Sequence, residues 1–298
     1  MQATYDKAQL LFANFEGTSF QYPQLDNQQE IMDDMVDMYR LAIHDTLFVE
    51  REYAGGSFGV SQLGRPQVVT AWEYFYPETK TQFATPIERQ LKYLRGHQFE
   101  TEVYYFLRRL GFTDIDWQSN VKVHELIPSG HPDFVVRGED GETFIVECKF
   151  INKNDFNAYQ RSGKMENKRY VNQLHMYCEA LNCRGMWVIG CTDTGRIQCI
   201  EYTQRHREYN KALSARALAT VAVISQAATF ADCLKAIKPP RPLSTKAGRL
   251  YLPPELYVSK GVLHPVCCLY QWHLDDDNKV TVTGYNYPEE VKEFEPQL

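Results

Sequence analysis

The stretch 129–149, SGHPDFVVRGEDGETFIVECK, constrains the fold of this chain more than any other. Two short apolar runs, 134–136 and 143–146, flank the sequence Gly-Glu-Asp-Gly at 138–141. An Asp-Gly pair between two runs of β-forming residues is a strong signal for a β-hairpin. We therefore predict two antiparallel strands joined by a tight turn.

A group of charged side chains is predicted at one end of this hairpin. Asp133 opens the first strand, and Glu147 and Lys149 close the second. Because side chains alternate along a strand, Glu147 and Lys149 point to one face and Cys148 to the other. Carboxylates are ligands that Mg²⁺ or Mn²⁺ prefers, and the ammonium is a point charge able to hold water or offset phosphate charge. A solvated hairpin end with an ordinary surface ion pair is the alternative.

The composition indicates a folded protein with a large core. The 298 residues are 44% hydrophobic and 13% aromatic, which argues against disorder. From the polar and mixed residues 1–11 we expect no secretory signal, and the longest apolar-leaning run, 217–231, is too short to span a bilayer. The eight cysteines include no C-x-x-C pair. We expect a cytoplasmic protein with reduced thiols, no zinc site and no membrane partner.

Charge is distributed unevenly along the chain. The net charge of −6 by itself disfavours a nucleic-acid partner. The stretch 147–211, however, holds eleven basic and seven acidic residues, a net +4 that leaves −10 on the rest. A basic excess directly after the acidic hairpin end is compatible with nucleic-acid binding, although a solvated surface has the same appearance.

A second informative stretch, 95–111, predicts a helix. Its apolar face consists of residues at i, i+4, i+7, i+8 and i+11: Phe99, Val103, Phe106, Leu107 and Leu110. Glu100 shares a neighbouring face with His97 and Tyr104, from which it reaches the hairpin end as a further metal or water ligand. An ordinary exposed glutamate is the alternative, and Glu102, on the opposite side, is a weaker substitute.

A further helix is predicted at 168–181. One stripe of this helix carries four large residues: Tyr170, Leu174, Tyr177 and Leu181. Gln173 and Tyr177 are four residues apart and therefore stack; an amide and a phenol so placed suit a phosphate or a stacked base. Helix-surface residues without a special role are the alternative. His175 is predicted to be a helix-surface residue rather than a ligand.

The remaining pattern predicts the other elements. In chain order these are helices at 26–42 and 212–237, strands at 116–125, 186–190 and 198–202, and a small β element at 279–285. The connection 151–167 is polar and long enough to be mobile. The acidic run 275–277 predicts a turn.

Together these residues resemble the PD-(D/E)XK nuclease superfamily, specifically its RecB-like and lambda-exonuclease-like branch. Four segments match its motifs in order: Gly96-His97-Gln98-Phe99-Glu100 (G-x-x-[FY]-E), Gly130-His131-Pro132-Asp133 (G-x-x-D), Glu147-Cys148-Lys149 (E-x-K) and Gln173-Leu174-His175-Met176-Tyr177 (Q-x-x-x-Y). The resemblance covers about residues 60–205. It implies an α/β fold with a restriction-endonuclease-like core, in which helices flank a central mixed β-sheet in the order αβββαβ.

The resemblance also implies an active site. Asp133, Glu147 and the backbone carbonyl of Cys148 would hold Mg²⁺ or Mn²⁺, with Glu100 acting directly or through water. Lys149 would orient the attacking water or stabilise the charge of the transition state. The residues implied in DNA binding are Gln173, Tyr177, His97, Lys164, Lys168 and Arg169.

The implied activity is metal-dependent hydrolysis of phosphodiester bonds in DNA, by an exonuclease acting on linear double-stranded or single-stranded ends. The resemblance implies that this activity serves recombination, repair or phage DNA processing. The expected location is the cytoplasm of a bacterium or of a phage-infected host. A structure-specific or restriction-type endonuclease, a nuclease acting on RNA, and a catalytically silent DNA-binding module are the alternatives. Enzymes of this branch form rings, so a homo-oligomer or a recombination partner protein is a further expectation.

The chain is predicted to consist of three segments. A helical extension covers 1–60, the nuclease core 61–238, and an extension with a small β element 239–298. The stretch 60–66 is similar to the S-x-x-x-C-P-R motif of iron–sulfur members, but Gly64 and Arg65 stand where a cysteine is expected. Because such clusters usually need four thiolates, no iron–sulfur cluster is expected.

Overall fold

The chain forms two compact units. The first comprises Met1–Arg51, Gly59–Ser61 and Ala84–Ser214, and the second Glu52–Phe58, Gln62–Phe83 and Ala215–Leu298. The segment boundaries predicted near residues 60 and 238 stay predictions. The computed structural model describes the following residues: Asp6, 27–47, 58–63, 65–76, 87–127, 129–165, 167–237 and short strands between 243 and 285.

A five-stranded mixed sheet lies at the centre of the first unit. Its strands, in spatial order, are β1 (Asp114–Trp117), β2 (Phe134–Arg137), β3 (Thr143–Ile151), β4 (Arg184–Cys191) and β5 (Ile197–Glu201). The β3–β4 pair is parallel and the other three pairs are antiparallel. β4 and β5 confirm the strands predicted at 186–190 and 198–202, whereas β1 ends earlier than the strand predicted at 116–125.

Helices precede, interrupt and follow these strands. In chain order they are α1 (Gln28–Leu47), α2 (Gln67–Phe75), α3 (Ile87–Arg109), α4 (Lys153–Ser162), α5 (Lys168–Leu181), α6 (Gln204–Gln226) and α7 (Phe230–Ala236). A crossover is required between parallel strands, and α4 and α5 supply it between β3 and β4. The predicted fold class is confirmed: the chain is α/β, with a mixed sheet flanked by helices, consistent with a restriction-endonuclease-like core.

The hairpin forms where the sequence predicts it. Its register pairs Phe134 with Val146 and Arg137 with Thr143. In the turn, Gly141 has a φ of 80°, a left-handed conformation that favours glycine. The backbone N–H of Glu142 donates to Asp140 Oδ1 at 3.0 Å, which closes the turn.

The hydrophobic core lies between α3 and one face of the sheet. Phe99, Val103 and Leu107 recur along one stripe of α3 and are buried against Phe134 and Val146 of the hairpin. Full burial of each such side chain contributes about 1.5–3 kcal/mol. The apolar face predicted for this helix is therefore the surface that holds α3 over the hairpin, although the helix begins earlier than predicted, at Ile87.

The polar connection after β3 is more regular than predicted, because much of it is helix α4. The side-chain oxygen of Asn152 caps this helix, accepting the N–H groups of Asn154 and Asp155 at 3.0 and 3.1 Å. Phe156 is buried beneath it. An Asn N-cap followed three positions later by an acidic residue predicts a helix start. The connection is thus partly a capped helix, and its mobility stays a prediction.

Two helical predictions are corrected by the structure. The helix predicted at 212–237 is two helices, α6 and α7, because Thr229 caps a new start by accepting the N–H of Asp232 at 3.1 Å. The placement of His175 on the helix surface is wrong. His175 is buried, because Tyr202, directly after β5, reaches it and hydrogen-bonds its Nδ1.

Three short antiparallel pairs follow α7 in the second unit. They are β6 (Leu243–Ser244) with β7 (Leu250–Tyr251), β8 (Tyr257–Ser259) with β9 (Val262–Leu263), and β10 (Tyr270–Leu274) with β11 (Val280–Tyr285). β11 confirms the β element predicted at 279–285, and the turn predicted at 275–277 lies outside the described residues. Among the described helices, none is long and apolar enough to cross a bilayer.

Candidate active site

The charged group predicted at the hairpin end is assembled by the strand register. Asp133 directly precedes β2, and Glu147 and Lys149 lie on β3 beyond the last β2–β3 pair. The backbone N–H of Asp133 donates to Glu147 Oε1 at 3.4 Å, and the N–H of Cys148 donates to Asp133 Oδ2 at 2.7 Å. Both carboxylates are buried. The alternative of a solvated hairpin end is therefore wrong.

Lys149 forms the ion pair at the centre of this group. Its Nζ lies 2.8 Å from Glu147 Oε2 and 3.8 Å from Asp133 Oδ2. The same ammonium lies 5.2 Å from the centre of the Tyr170 ring, within the range of a cation–π contact. Burial acts to lower the pKa of Lys149, but the two carboxylates outweigh it and raise the pKa above its ordinary value. Lys149 is therefore a cation at neutral pH.

The surroundings of Asp133 disfavour the charged form of its side chain. Burial is the largest effect and raises the pKa of Asp133 well above its ordinary value. The neighbouring Glu147 raises it further, while Lys149 and the N–H of Cys148 partly offset the rise. The carboxylate is therefore desolvated next to a second anion, which is the environment expected of a functional acid rather than of a surface ion pair.

Glu100 reaches the same region from α3. Its side chain is 8% exposed, so it is not the ordinary exposed glutamate of the alternative. Trp117 Nε1 donates to Glu100 Oε2 at 3.0 Å, and His97 Nδ1 lies 3.2 Å from Oε1. Burial acts to raise the pKa of Glu100, but these contacts and a hydrogen bond from Gln118 lower it overall. Glu102, the weaker substitute on the opposite side of the helix, is exposed.

Trp117, Gln118 and Tyr170 are site residues that the sequence did not indicate. Gln118 Nε2 donates both to Glu100 Oε2, at 3.2 Å, and to Asp133 Oδ1, at 3.3 Å. Trp117 and Gln118 follow one another at the end of β1, and neither type of residue carries a motif there. Only the proximity of this strand end to the hairpin distinguishes them.

The Q-x-x-x-Y residues lie on α5 beside the hairpin. Tyr177 is buried, and its pKa is raised by burial and by the nearby charge of Glu147. The side chain of Gln173 hydrogen-bonds Tyr177, as the predicted stacking requires. Gly130 packs directly against this tyrosine, since a Cβ at Gly130 would lie 2.6 Å from Tyr177 Cε1. The glycine of the G-x-x-D motif therefore packs against the tyrosine of the Q-x-x-x-Y motif, where a larger side chain would not fit.

The basic residues predicted to bind DNA lie at the start of α5. Lys168 is its first residue and is exposed, and Arg169 is half-buried. Lys164 is exposed in the connection between α4 and α5. Their part in DNA binding stays a prediction, as does that of His97, which lies next to Glu100 in the site.

The donor set of the site fits a divalent cation. The site holds three buried carboxylates: Asp133 and Glu147 lie beside the Lys149 ammonium, and Glu100 is near enough to Asp133 to affect its pKa. Carboxylate oxygens suit Mg²⁺ and Mn²⁺. The N–H of Cys148 points at Asp133, so its carbonyl faces the same edge of the strand. In the part of the chain that the structure describes, no three His, Cys, Asp or Glu side chains already have the spacing of a metal site.

Similarity to known proteins is found among solved structures. No protein-family model and no curated protein match the chain. Among solved structures, the chain is similar to SSO0001, with 14% identity and a TM-score of 0.40, covering 70% of this chain and 96% of that one. It is also similar to an alkaline exonuclease (LHK-Exo) from Laribacter hongkongensis, with 14% identity and a TM-score of 0.41, covering 64% and 94%.

A structure of LHK-Exo in complex with dAMP is similar as well. The identity is 17% and the TM-score 0.42, with 57% of this chain and 90% of that chain covered. At these identities and scores, no residue role is transferred from those proteins.

Proposed function

We propose that this chain is a metal-dependent DNA nuclease that hydrolyses phosphodiester bonds, acting as an exonuclease on DNA ends. The buried Glu147–Lys149 ion pair, with Asp133 beside it and Glu100 nearby, is the observation that carries this proposal. Each charge removed from water carries a desolvation penalty. A cluster with surplus negative charge is therefore better explained by a reaction that uses the charge than by a contribution to stability.

The hairpin end would hold the cation. Asp133, Glu147 and the carbonyl of Cys148 are the proposed ligands, with Glu100 acting directly or through water. Bound Mg²⁺ or Mn²⁺ would supply a Lewis acid for the scissile phosphate and lower the pKa of a bound water. The protein's own contribution is to exclude bulk solvent from these oxygens, which strengthens their interaction with a cation.

Lys149 would act as a fixed positive charge. Because the pKa of Lys149 is raised by Glu147 and Asp133, its side chain is a cation at neutral pH. It can donate hydrogen bonds to an attacking water or to a phosphate oxygen that gains charge in the transition state. Its contact with Tyr170 and its ion pair with Glu147 restrict the position of the ammonium.

α5 would position the nucleic-acid strand. Gln173 and Tyr177 lie on the side of α5 near the carboxylates. Lys164, Lys168 and Arg169 would contact phosphates, which give affinity without sequence preference. A homo-oligomer or a recombination partner would supply the processivity that a single small site lacks. Action on DNA ends is proposed because the Q-x-x-x-Y motif resembles that of the lambda-exonuclease-like branch.

Cleavage assays on two DNA forms test the proposal. Linear and covalently closed circular DNA would be incubated with Mg²⁺, with Mn²⁺ and with a chelator. We expect metal-dependent loss of the linear form alone. Lys149→Ala should reduce the rate to background, and Lys153→Ala, which removes an exposed lysine of α4, should leave it unchanged.

Each other outcome changes the proposal in a defined way. Cutting of the circle makes the chain an endonuclease, and DNA binding without cleavage by the wild type makes it a silent binding module. A folded Lys149→Ala variant that cuts linear DNA at the wild-type rate removes Lys149 from the mechanism. Because Lys149→Ala also weakens the fold, Asp133→Asn provides a second inactive variant, with circular dichroism as the test of folding.

A further inference from the structure

Gln118 has a backbone conformation that its residue type rarely adopts. It follows β1 directly and has a φ of 50°, in the left-handed region that costs a non-glycine residue about 1 kcal/mol or more. Gly and Asn reach this region more readily. A turn at this position therefore does not by itself explain why the residue is glutamine.

The backbone of Gln118 is fixed by the hairpin. Its N–H donates to the carbonyl of Asp133 at 3.1 Å, one step beyond the Trp117–Phe134 pair that ends the β1–β2 ladder. This bond ties Gln118 to the residue that carries the buried carboxylate. The left-handed conformation then places the side chain beside the same carboxylate instead of along the strand.

The side chain of Gln118 joins two elements of the site. Its amide nitrogen donates to Glu100 Oε2 at 3.2 Å and to Asp133 Oδ1 at 3.3 Å. One carboxylate comes from α3 and the other from the hairpin. Within the hydrogen bonds described for this site, this amide is the one group that contacts both acids.

We infer that Gln118 is a positioning residue that holds Glu100 and Asp133 side by side for a divalent cation. This inference rests on the proposed function and extends it to a residue outside the four motifs. Gln118 does not touch the reacting atoms; it acts through the two carboxylates.

A neutral amide suits this task better than a charged side chain. Glu100 Oε2 accepts from Trp117 and Gln118, which occupies both of its lone pairs. Asp133 Oδ1 accepts from Gln118 and Oδ2 from Cys148, so each oxygen keeps one lone pair. A lysine or arginine at this position would cancel the negative charge that attracts the cation. Gln118 orients both acids and leaves their charge in place.

Metal binding without DNA measures this role directly. Mn²⁺ binding to the full chain would be followed by isothermal titration calorimetry for wild type and Gln118→Met, which keeps the length of the side chain and removes the donor. We expect the affinity to fall about 10–100-fold, as for other residues that orient metal ligands. The matched control is Gln98→Met, because Gln98 makes a similar bond, to the exposed Glu102 at 3.3 Å.

A second variant separates positioning from folding. Gln118→Gly removes the amide and also the backbone strain, so its unfolding midpoint should stay near that of wild type while Mn²⁺ binding weakens as in Gln118→Met. If either Gln118 variant binds Mn²⁺ as tightly as Gln98→Met, the inference is wrong while the proposed function stands. If the wild type itself binds no Mn²⁺, or Asp133→Asn binds it equally well, both the proposed function and this inference are overturned.

Discussion

Two buried carboxylates of the site, Glu100 on α3 and Asp133 at the hairpin end, differ in the direction in which their pKa is shifted. Glu100 lies at the corner between α3 and β1, where burial acts to raise its pKa but hydrogen bonds from three side chains and the charge of His97 lower it overall. Asp133 lies at the hairpin end, where burial and a second carboxylate raise its pKa despite a nearby ammonium. At the corner, hydrogen bonds and the charge of His97 favour the anion, whereas at the hairpin end the ammonium does not offset the effect of burial and of the second carboxylate on Asp133.

Burial acts to raise the pKa of both acids, so the difference in net direction comes from their neighbours. Neutral N–H groups favour the anion without cancelling its charge, whereas an ammonium favours it and neutralises it. A cation entering the site therefore meets an acid with a lowered pKa at the corner, and two carboxylates that share one ammonium at the hairpin end. The two regions should respond differently to mutation.

The largest effect is expected from removing the ammonium at the hairpin end. Lys149→Met leaves the Glu147 carboxylate, which is fully buried, without its ion pair at 2.8 Å. Breaking a buried pair on one side costs about 3–5 kcal/mol, because the remaining charge is uncompensated. Urea denaturation followed by circular dichroism at neutral pH measures the change in the free energy of unfolding.

The double variant Glu147→Gln/Lys149→Met is the matched control. It replaces both charges with neutral groups of similar volume, so most of the lost stability should return. A loss below about 1 kcal/mol in Lys149→Met, the value typical of an exposed pair, would show that water reaches this ion pair.

The second-largest effect on the free energy of unfolding is expected at two glycines, Gly130 before β2 and Gly96 on α3. At the hairpin, a Cβ on Gly130 would lie 2.6 Å from Tyr177 Cε1 and 2.8 Å from Val123 Cγ2. Gly130→Ala should therefore destabilise the fold by about 1–3 kcal/mol through overpacking. On α3, a Cβ on Gly96 meets nothing within 4 Å, so Gly96→Ala should stabilise the helix by about 0.5–1 kcal/mol.

Denaturation of both alanine variants under the same conditions measures this contrast. Opposite signs are the expected result. Equal destabilisation would mean that the glycine of the G-x-x-[FY]-E motif has a packing role that the structure does not show. If Gly130→Ala has the same free energy of unfolding as wild type, Tyr177 moves aside at no cost in stability. Its contact with Gly130 would then be loosely packed.

Much of the fold was predictable because it depends on local patterns. The Asp-Gly turn and the alternating strands predicted the hairpin, and with it the approach of Asp133, Glu147 and Lys149. The apolar stripe of α3 predicted which face packs on the sheet, and so directed Glu100 toward the hairpin. These features follow from the periods of helices and strands, which a single sequence displays directly.

The missed features depend on contacts between distant parts of the chain. Gln118 is a site residue only because the end of β1 lies against the hairpin, and no periodicity reports that. His175 is buried by Tyr202 from another element, so its own helix does not predict its burial. α4 was missed for a different reason: its polar composition concealed a cap at Asn152 that local rules describe.

The smallest effect concerns a single hydrogen bond at the corner. Trp117 Nε1 donates to Glu100 Oε2 at 3.0 Å, and Trp117→Phe removes the donor. A hydrogen bond to a charged group is worth about 1.5–3 kcal/mol. Because Gln118 and His97 still contact this carboxylate, we expect a loss of about 1 kcal/mol at neutral pH.

The pH dependence separates this bond from the packing of the lost ring. The pKa of Glu100 is lower in the fold than its ordinary 4.5, so its donors stabilise the fold fully above that value. Their contribution is lost as the pH falls through the lowered pKa. Asp133 acts in the opposite direction: its pKa is raised above 3.8, so its charge costs stability as the pH rises. The free energy of unfolding of either protein depends on both acids. The difference in this free energy between wild type and Trp117→Phe depends on the charge of Glu100.

Urea denaturation of both proteins, from neutral pH to the lowest pH at which they fold, gives this difference. It should shrink on acidification, because a protonated Glu100 has little need of the indole N–H. In a Glu100→Gln background the effect of Trp117→Phe should not depend on pH, since no charge remains at the acceptor. An effect that is independent of pH in both backgrounds would assign Trp117 to packing alone, and the anion at the corner would then depend on Gln118 and His97.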